Sequence, residues 1–431
     1  MTAMAMAARV PAMNNARDTA LCEKLFNTLR AATFDGVGIT RESFGASESR
    51  ALDIVENAAR ECGLTTERDA GGNLVATLAG TQPGLPFLAC GSHLDSVPQG
   101  GNFDGGAGVI AGLAVLAGLK RDGFAPRRTL KLFGLRGEES AWFGKAYIGS
   151  SALFGRLTPD DLASPHAVTG RSLKDCMSDA GADIDRIARG QPLLDSKTVA
   201  AWFELHIEQG PVLVARDLPI GIVTGIRGNV RHRTVQCIGE AGHSGAVPRW
   251  LRRDAVFATA ELITHLDRHW RTLLERGRDL VVTSGIMGTE SAEHAIARIP
   301  GSVKFSFEAR SQNQETLEAF YDLFLSECAG IGDERGVEFK LDRRLQSAPA
   351  SMDPAWVDRL RAAARDLGLP DEPIPSGAGH DAAVFANAGI PSAMIFIRNE
   401  NGSHNPHEDM KMGDFMSGVA VMRRVLAEAA L

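Results

Sequence analysis

The sequence predicts an α/β protein with a ferredoxin-like unit inserted into it, and three observations carry that expectation. Short apolar runs such as Phe87-Leu88-Ala89-Cys90 alternate with helical stretches, the rhythm of strands in a sheet with helices on both faces. Between about residues 220 and 344 the order changes to β-α-β-β-α-β. The length of 431 residues also exceeds what one hydrophobic core usually serves, so two domains are the default.

Residues 19–62 read as helices that stop at Gly63. Residues 64–67 and 74–78 are strand-like runs on either side of Asp69-Ala70-Gly71-Gly72-Asn73. Phe87 to Cys90 is the next strand, 109–119 a small-residue helix able to pack closely on a sheet, and 130–135 a strand ending in Arg136-Gly137-Glu138-Glu139. In the insert, 233–238 reads as a strand, and Val256, Leu262, Leu266, Trp270 and Leu273 stripe a helix over 254–274. Residues 281–286 read as a second strand, and Val303, Phe305 and Phe307 alternate with Lys304, Ser306 and Glu308 in a third. Leu317, Phe320, Phe324 and Cys328 stripe the second helix, and Val337, Phe339 and Leu341 alternate again. From about Ala348 the chain returns to α/β character. Residues 1–216 with 348–431 are therefore expected to form one domain and 217–347 the other. A sheet covered on one face leaves edges to manage, and pairing with a second copy is one way to do so.

Composition narrows the class of function. With 44% hydrophobic and 23% charged residues the chain is ordinary for a globular protein. A net charge of −7 and a pI of about 5.9 exclude the basic footprint of a nucleic-acid binder. Cys22, Cys62, Cys90, Cys176, Cys237 and Cys328 are scattered without a C-x-x-C pair, which suits free thiols in a reducing compartment. Residues 1–13 are rich in Ala and Met but lack a basic segment before the apolar part, which disfavours a secretory signal. No run approaches the roughly 18 apolar residues of a membrane span. A cytoplasmic protein without membrane or nucleic-acid partners is the expectation.

The chemistry concentrates after strand ends. Gly91-Ser92-His93-Leu94-Asp95 is followed by Gly101-Asn102-Phe103-Asp104-Gly105, a His and two Asp where open α/β sheets place their ligands. His93 and Asp104 read as metal ligands, and Asp95 as the residue holding His93. Glu138-Glu139 ends another strand, so its two side chains point differently and can serve different roles. His206, Glu208 and Gln209 flank a third strand-like run, and Gly402-Ser403-His404-Asn405-Pro406 follows a fourth, 393–397. Two divalent ions sharing a carboxylate need roughly three ligands each, about 3.5–4 Å apart. His93, Asp104, Glu139, His206 and His404 satisfy that count, and Glu138 is left over as general base. A lone Glu-Glu pair is usually solvated charge; a set of such places following strands in order is a stronger signal.

His93-Leu94-Asp95, Gly101-x-Phe103-Asp104-Gly105, Glu138-Glu139, Glu204-Leu205-His206-Ile207-Glu208-Gln209-Gly210, Gly377-Ala378-Gly379-His380-Asp381-Ala382 and Ser403-His404-x-Pro406-x-Glu408 together resemble the hydantoinase/carbamoylase amidases. These belong to the dinuclear-metal aminoacylase and carboxypeptidase superfamily, and the similarity runs over nearly the whole chain after about residue 20. The resemblance implies a metallopeptidase-like catalytic domain carrying an inserted lid and dimerisation domain, hence a homodimer. It implies His93, Asp104 and His206 on one ion and Asp104, Glu139 and His404 on the other, with zinc, manganese, cobalt or nickel all compatible with such ligands. Asp95 would orient His93, and Glu138 would carry the proton between water and the departing nitrogen. His243, in Gly242-His243-Ser244-Gly245, would stabilise the transition state, commonly from the partner subunit. Arg310 would grip a substrate carboxylate with its planar fork. Gln209 would contact substrate; His380 and Asp381 face either substrate or the back of the ligands, and His380 is carried as a substrate contact. His265, His269 and His294 read as solvated or packing residues.

Four positions depart from the family pattern. Ala297 stands where an Asn usually helps bind the carboxylate, and Ala has no side-chain donor. Arg249 replaces the Met of T-P-M, Trp142 stands where Arg is common, and Ser151 replaces the Arg of G-S-R. The ligand positions are kept while the substrate pocket is altered. The expected activity is metal-dependent hydrolysis of N-carbamoyl amino acids or a related ureido acid. The alternatives are an aminoacylase or peptidase of the same superfamily and an inactive binding homologue. His206 stands where peptidases of the superfamily often place a carboxylate, which favours the first.

Overall fold

A computed structural model describes residues 15–291 and 295–431. The Ala- and Met-rich stretch 1–13 and His294 lie outside the described residues. The chain divides into two compact units, one built from residues up to 224, 352–374 and 378–431, the other from 225–351 with 375–377.

The first unit is built on a mixed sheet. Its strands run in the order Thr65–Arg68, Leu74–Leu78, Leu130–Leu135, Phe87–His93, Val199–Ile207, Ser392–Ile397 and Ile220–Ile226. The four central strands are parallel to one another, and the outer pairings are antiparallel. Phe87–His93 and Ser392–Ile397 are buried along their whole length, as strands covered on both faces must be. The small-residue helix spans Gly106–Arg121, and every residue from Gly106 to Leu119 is buried. Residues 19–62 form two helices, Asn15–Thr33 and Ala46–Glu61; the second buries Ala51, Leu52, Val55, Ala58 and Ala59 at helical spacing.

The stretch from 140 to 198, which carries no readable period, folds into short helices. Thr158 and Asp161 form a capping box for Pro159–Ala163, Ser172 caps Leu173–Asp179, and Asp183 caps Ile184–Ala188. Helices of five to seven residues are too short to show an apolar stripe. They close over a satellite core containing Trp142, Phe143, Ile148, Leu173 and Met177. Trp142 is therefore a packing residue. Its Nε1–H donates to Ser96 O at 2.8 Å and its ring stacks on His166.

In the second unit a sheet runs in the order Met287–Gly288, Ser302–Ser311, Gly228–Ile238 and Glu338–Leu341, all antiparallel. Helices Ala255–Glu275 and Gln314–Arg335 share a core with it through Leu262, Leu266, Phe320 and Phe324 against Val235, Phe305 and Phe307. This is the ferredoxin-like arrangement. The expected strand over 281–286 is broken into Val281–Thr283 and Met287–Gly288. The partner strand shifts register between Phe305 and Phe307, and Ser306 Oγ accepts the Ile286 N–H at 3.0 Å, a side-chain bond in place of a ladder bond. His265 Nδ1 and His269 Nε2 face the two oxygens of Glu327 at 2.8 and 2.7 Å, joining the two helices.

Candidate metal centre and active site

Because Phe87–His93, Leu130–Leu135, Val199–Ile207 and Ser392–Ile397 are parallel, their C-terminal ends share one edge of the first unit's sheet. His93 closes its strand, Glu138 and Glu139 follow the second, His206 sits one residue from the end of the third, and His404 lies in the loop after the fourth. His93, Asp104 and His206 form one group of converging ligand atoms, and Asp104, Glu139 and His404 a second, each within 4.8 Å of one another. Asp104 belongs to both groups.

The loop carrying Asp104 is fixed from several sides. Glu408 Oε1 accepts the backbone N–H of Phe103 and of Asp104, at 2.9 and 3.1 Å. Gly105 follows in the left-handed region, and a Cβ there would lie 2.5 Å from the His93 ring. Asp104 Oδ2 accepts from Ser403 Oγ and Gln209 Nε2, at 2.7 and 2.9 Å. Asp104 Oδ1 is buried and has no hydrogen-bond partner among the described residues.

That orphaned oxygen decides whether a cation fits. His206 Nδ1 lies 2.9 Å from Ile207 O, and His93 Nδ1 lies 3.1 Å from Asp95 O and 3.2 Å from Asp95 Oδ1. These partners assign the proton of each ring to Nδ1. His206 Nε2, which also accepts the Gly105 N–H at 3.2 Å, and His93 Nε2 then lie unprotonated 3.2 and 3.6 Å from Asp104 Oδ1. Lone pairs facing a buried carboxylate oxygen repel unless a cation or an extra proton stands between them. His404 Nε2 lies 3.3 Å from Asp104 Oδ2 and 3.2 Å from Glu139 Oε1. The donor set of imidazole and carboxylate suits a borderline divalent metal. The residues fit a pair of such ions.

The protein's own charges show the same imbalance. Burial opposes ionisation of Asp104, yet His206 and His404 hold its carboxyl well below the usual range. Hydrogen bonds to Asp104 and Glu139 push His404 up to about 10. Burial drives Glu138 well above the ordinary carboxylate range, with Glu139 and Asp381 adding to it and His93 opposing. Glu138 Oε2 stands 3.9 Å from His93 Nε2, beside the converging ligands and outside both groups. A carboxyl with a raised pKa next to a metal cradle is suited to hold and return a proton.

Asp95 is fully buried and does more than face His93. Its Oδ1 accepts the Glu138 N–H and its Oδ2 the Glu139 N–H, each at 3.0 Å, while Ser43 Oγ donates to Oδ2 at 2.6 Å. Gln209 adopts φ 62° and His404 φ 60°, uncommon for residues other than glycine. Gln209 is held by its N–H to Asn399 Oδ1, and its own Oε1 is buried without a partner among the described residues. His380 packs its ring 4.4 Å from that of His206; burial and then the His206 charge keep it well below the ordinary histidine pKa. Asp381 Oδ1 accepts from Ser150 Oγ at 2.5 Å. Glu208 does not face the ligands: its carboxylate caps the Val212–Ala215 turn through the N–H groups of Val212 and Leu213.

His243 and Arg310 lie in the second unit. His243 is exposed, and the Ser244 N–H beside it donates to Ala297 O at 2.8 Å, which puts the Ala297 departure against the Gly-His-Ser-Gly loop. Arg310 Nη1 donates to Gly377 O at 2.9 Å and Nη2 lies 3.1 Å from Glu308. Arg249 sits in an exposed turn, and Ser151 is buried. Sequence reading assigned no role to Ser43, Ser403 or Tyr147. It quoted Glu204 and Glu408 only inside longer motifs, although Glu204 holds Ser92 Oγ and the Ala382 N–H and Glu408 holds the Asp104 loop. An acid inside a Gly-rich motif is the one signal that pointed to Glu408.

Comparison with known proteins agrees with this geometry. Residues 89–428 match the model of Peptidase family M20/M25/M40. An N-carbamoyl-L-amino acid amidohydrolase of Geobacillus stearothermophilus is 36% identical over 91% of this chain and 94% of its own length. An allantoate amidohydrolase of Escherichia coli is 32% identical over 85% and 87%. The crystal structure of a hydantoinase/carbamoylase family amidase from Burkholderia ambifaria superposes with a TM-score of 0.84 at 31% identity, covering 97% of each chain. Similarity of this extent, in sequence and in fold, places the chain in peptidase family M20/M25/M40, among its hydantoinase/carbamoylase amidases.

Proposed function

We propose that this protein is a metal-dependent amidohydrolase that cleaves the carbamoyl C–N bond of N-carbamoyl amino acids or related ureido acids. The observation that carries the reading is Asp104 shared by two groups of ligand-type side chains, with Glu138 beside them and in neither. The amidohydrolase relatives supply the substrate class.

His93, Asp104 and His206 would hold one divalent ion and Asp104, Glu139 and His404 the other, with zinc, manganese, cobalt and nickel all admissible. Ions bound there supply Lewis acidity toward a carbonyl oxygen and make water acidic enough to lose a proton near neutral pH. Glu138 would take a proton from the attacking water and return it to the departing nitrogen. Asp95 is a positioning residue that fixes His93 and the backbone of both glutamates at once. Gln209 Oε1, an acceptor without a partner among the described residues, suits an N–H of the ureido group, and His380, kept neutral, walls the site behind His206. For the second unit the proposal rests on motif match: Arg310 takes the substrate carboxylate, His243 steadies the transition state from a partner subunit, and the unit mediates a homodimer. A substrate carboxylate at Arg310 competes with Glu308, which already lies beside it. Among the described residues no helix is long and apolar enough to cross a membrane. Six free cysteines suit a reducing, cytoplasmic site of action.

Ammonia release from a panel of N-carbamoyl, ureido and N-acyl acids, with added divalent metal, tests the reading. Ammonia from carbamoyl or ureido substrates is expected. Turnover confined to N-acyl or peptide substrates would replace it with the aminoacylase or peptidase alternative.

A further inference from the structure

Tyr147 is in the left-handed region at φ 60° and ψ 39°, where a bulky residue is a strained outlier. Its backbone is held there from both sides: its N–H donates to Glu138 O at 2.9 Å, and its carbonyl accepts from Ser151 N at 2.8 Å. The strained backbone aims the phenol at Gly379. A Cβ on Gly379 would lie 1.7 Å from Tyr147 Oη, so the hydroxyl fills space that only glycine leaves open.

Among the described residues this hydroxyl makes no hydrogen bond, so strain is held without a bond in return. Its surroundings are acidic: burial and then the charges of Glu138, Asp381, Glu204 and Glu139 push the phenol above its usual pKa. A protonated phenol among acceptors is a donor. Asp381 Oδ2 and Gln209 Oε1 are buried acceptors without partners among the described residues. A carbamoyl group offers N–H donors for such acceptors and a single acceptor of its own, the carbonyl oxygen.

Resting on the function proposed above, we propose that Tyr147 is a further catalytic residue, its hydroxyl donating a hydrogen bond to the substrate carbonyl oxygen as charge builds there. Tyr147→Phe keeps the ring and removes only an unbonded hydroxyl, so folding is expected to be unaffected. In the metal-loaded enzyme, with whichever panel member turns over, kcat is expected to fall about 100-fold with KM changed less than about threefold. The acid limb of the kcat/KM profile is expected to stay in place. A kcat within about twofold of wild type overturns the assignment, as does an unchanged kcat with raised KM. A shifted acid limb also overturns it, because the hydroxyl would then act through Glu138.

The chain has two tyrosines, Tyr147 and Tyr321, so 3-fluorotyrosine labelling gives two resonances that Tyr321→Phe assigns. Adding N-carbamoylglycine to labelled Glu138→Gln protein is expected to move the Tyr147 resonance alone; no movement at saturation overturns the contact. If wild type releases no ammonia from any ureido acid yet hydrolyses N-acetylglycine, the carbamoyl and ureido reading fails. The Tyr147→Phe comparison is then made on N-acetylglycine, so the two failures are told apart.

Discussion

Asp95 and Glu138 are joined through the backbone: the Asp95 carboxylate accepts the Glu138 N–H at 3.0 Å while its other oxygen accepts the N–H of Glu139. One buried side chain thereby sets a ring nitrogen of His93 and the start of both glutamates. Asp95→Asn presents a donor to one of these N–H groups and loses an acceptor. Metal affinity is expected to fall roughly 10–100-fold, as for other partners of metal-binding histidines. Competitive chelator titration measures it, with far-UV circular dichroism showing that the fold is kept.

Glu138 stands outside both ligand groups, so its removal separates chemistry from metal binding. Glu138→Gln is expected to keep wild-type metal content and lose turnover by about 10²–10⁴-fold. Parallel metal analysis and ammonia assays check both halves. A variant at wild-type rate would show that the proton carrier is another residue.

Arg310→Lys keeps the charge and loses the bidentate fork. KM for a carboxylate substrate is expected to rise about tenfold, the equivalent of one charged hydrogen bond, with kcat little changed. Steady-state kinetics on the best panel substrate read the split. Loss of kcat alone would place Arg310 elsewhere in the mechanism.

Glu48 gives a pH signature away from the ligands. Its buried carboxylate accepts from Arg136 Nε at 2.6 Å and from the N–H groups of Phe44 and Gly137. Burial pushes its pKa from 4.5 up to about 7, with Arg136 opposing. A folded pKa above the unfolded one means the native state holds the extra proton between those values. The contribution is full below about pH 4.5 and is lost as pH rises through about 7. The loss is on the order of 3 kcal/mol. Glu48→Gln cannot titrate, so its stability relative to wild type is expected to rise from pH 5 to 7.5 in denaturant melts. A difference that stays flat would mean Glu48 is already ionised at pH 5.

The legible parts of this fold are those with a period or a compact motif. Val303, Phe305 and Phe307 alternate because one face of their strand is buried, and that is visible in one sequence. The residues of the two ligand groups stand at or just after strand ends, so their convergence follows once the strands are parallel. Ser43 and Glu48 were illegible because their partners, Asp95 and Arg136, lie 52 and 88 residues away and carry no local signal. The Tyr147 conformation was hidden for another reason: nothing in Ala146-Tyr147-Ile148 announces a left-handed residue. The capped turns between 158 and 188 were short enough to escape the helical period, and Trp142 gave no hint that it packs beneath them.

The shared position of Asp104 is tested most directly by counting metal. After reconstitution with manganese or zinc and gel filtration, elemental analysis of wild type is expected to give two ions per chain. His404→Ala is expected to keep one, and Asp104→Ala to fall below one. Wild-type metal content in Asp104→Ala would contradict the paired centre.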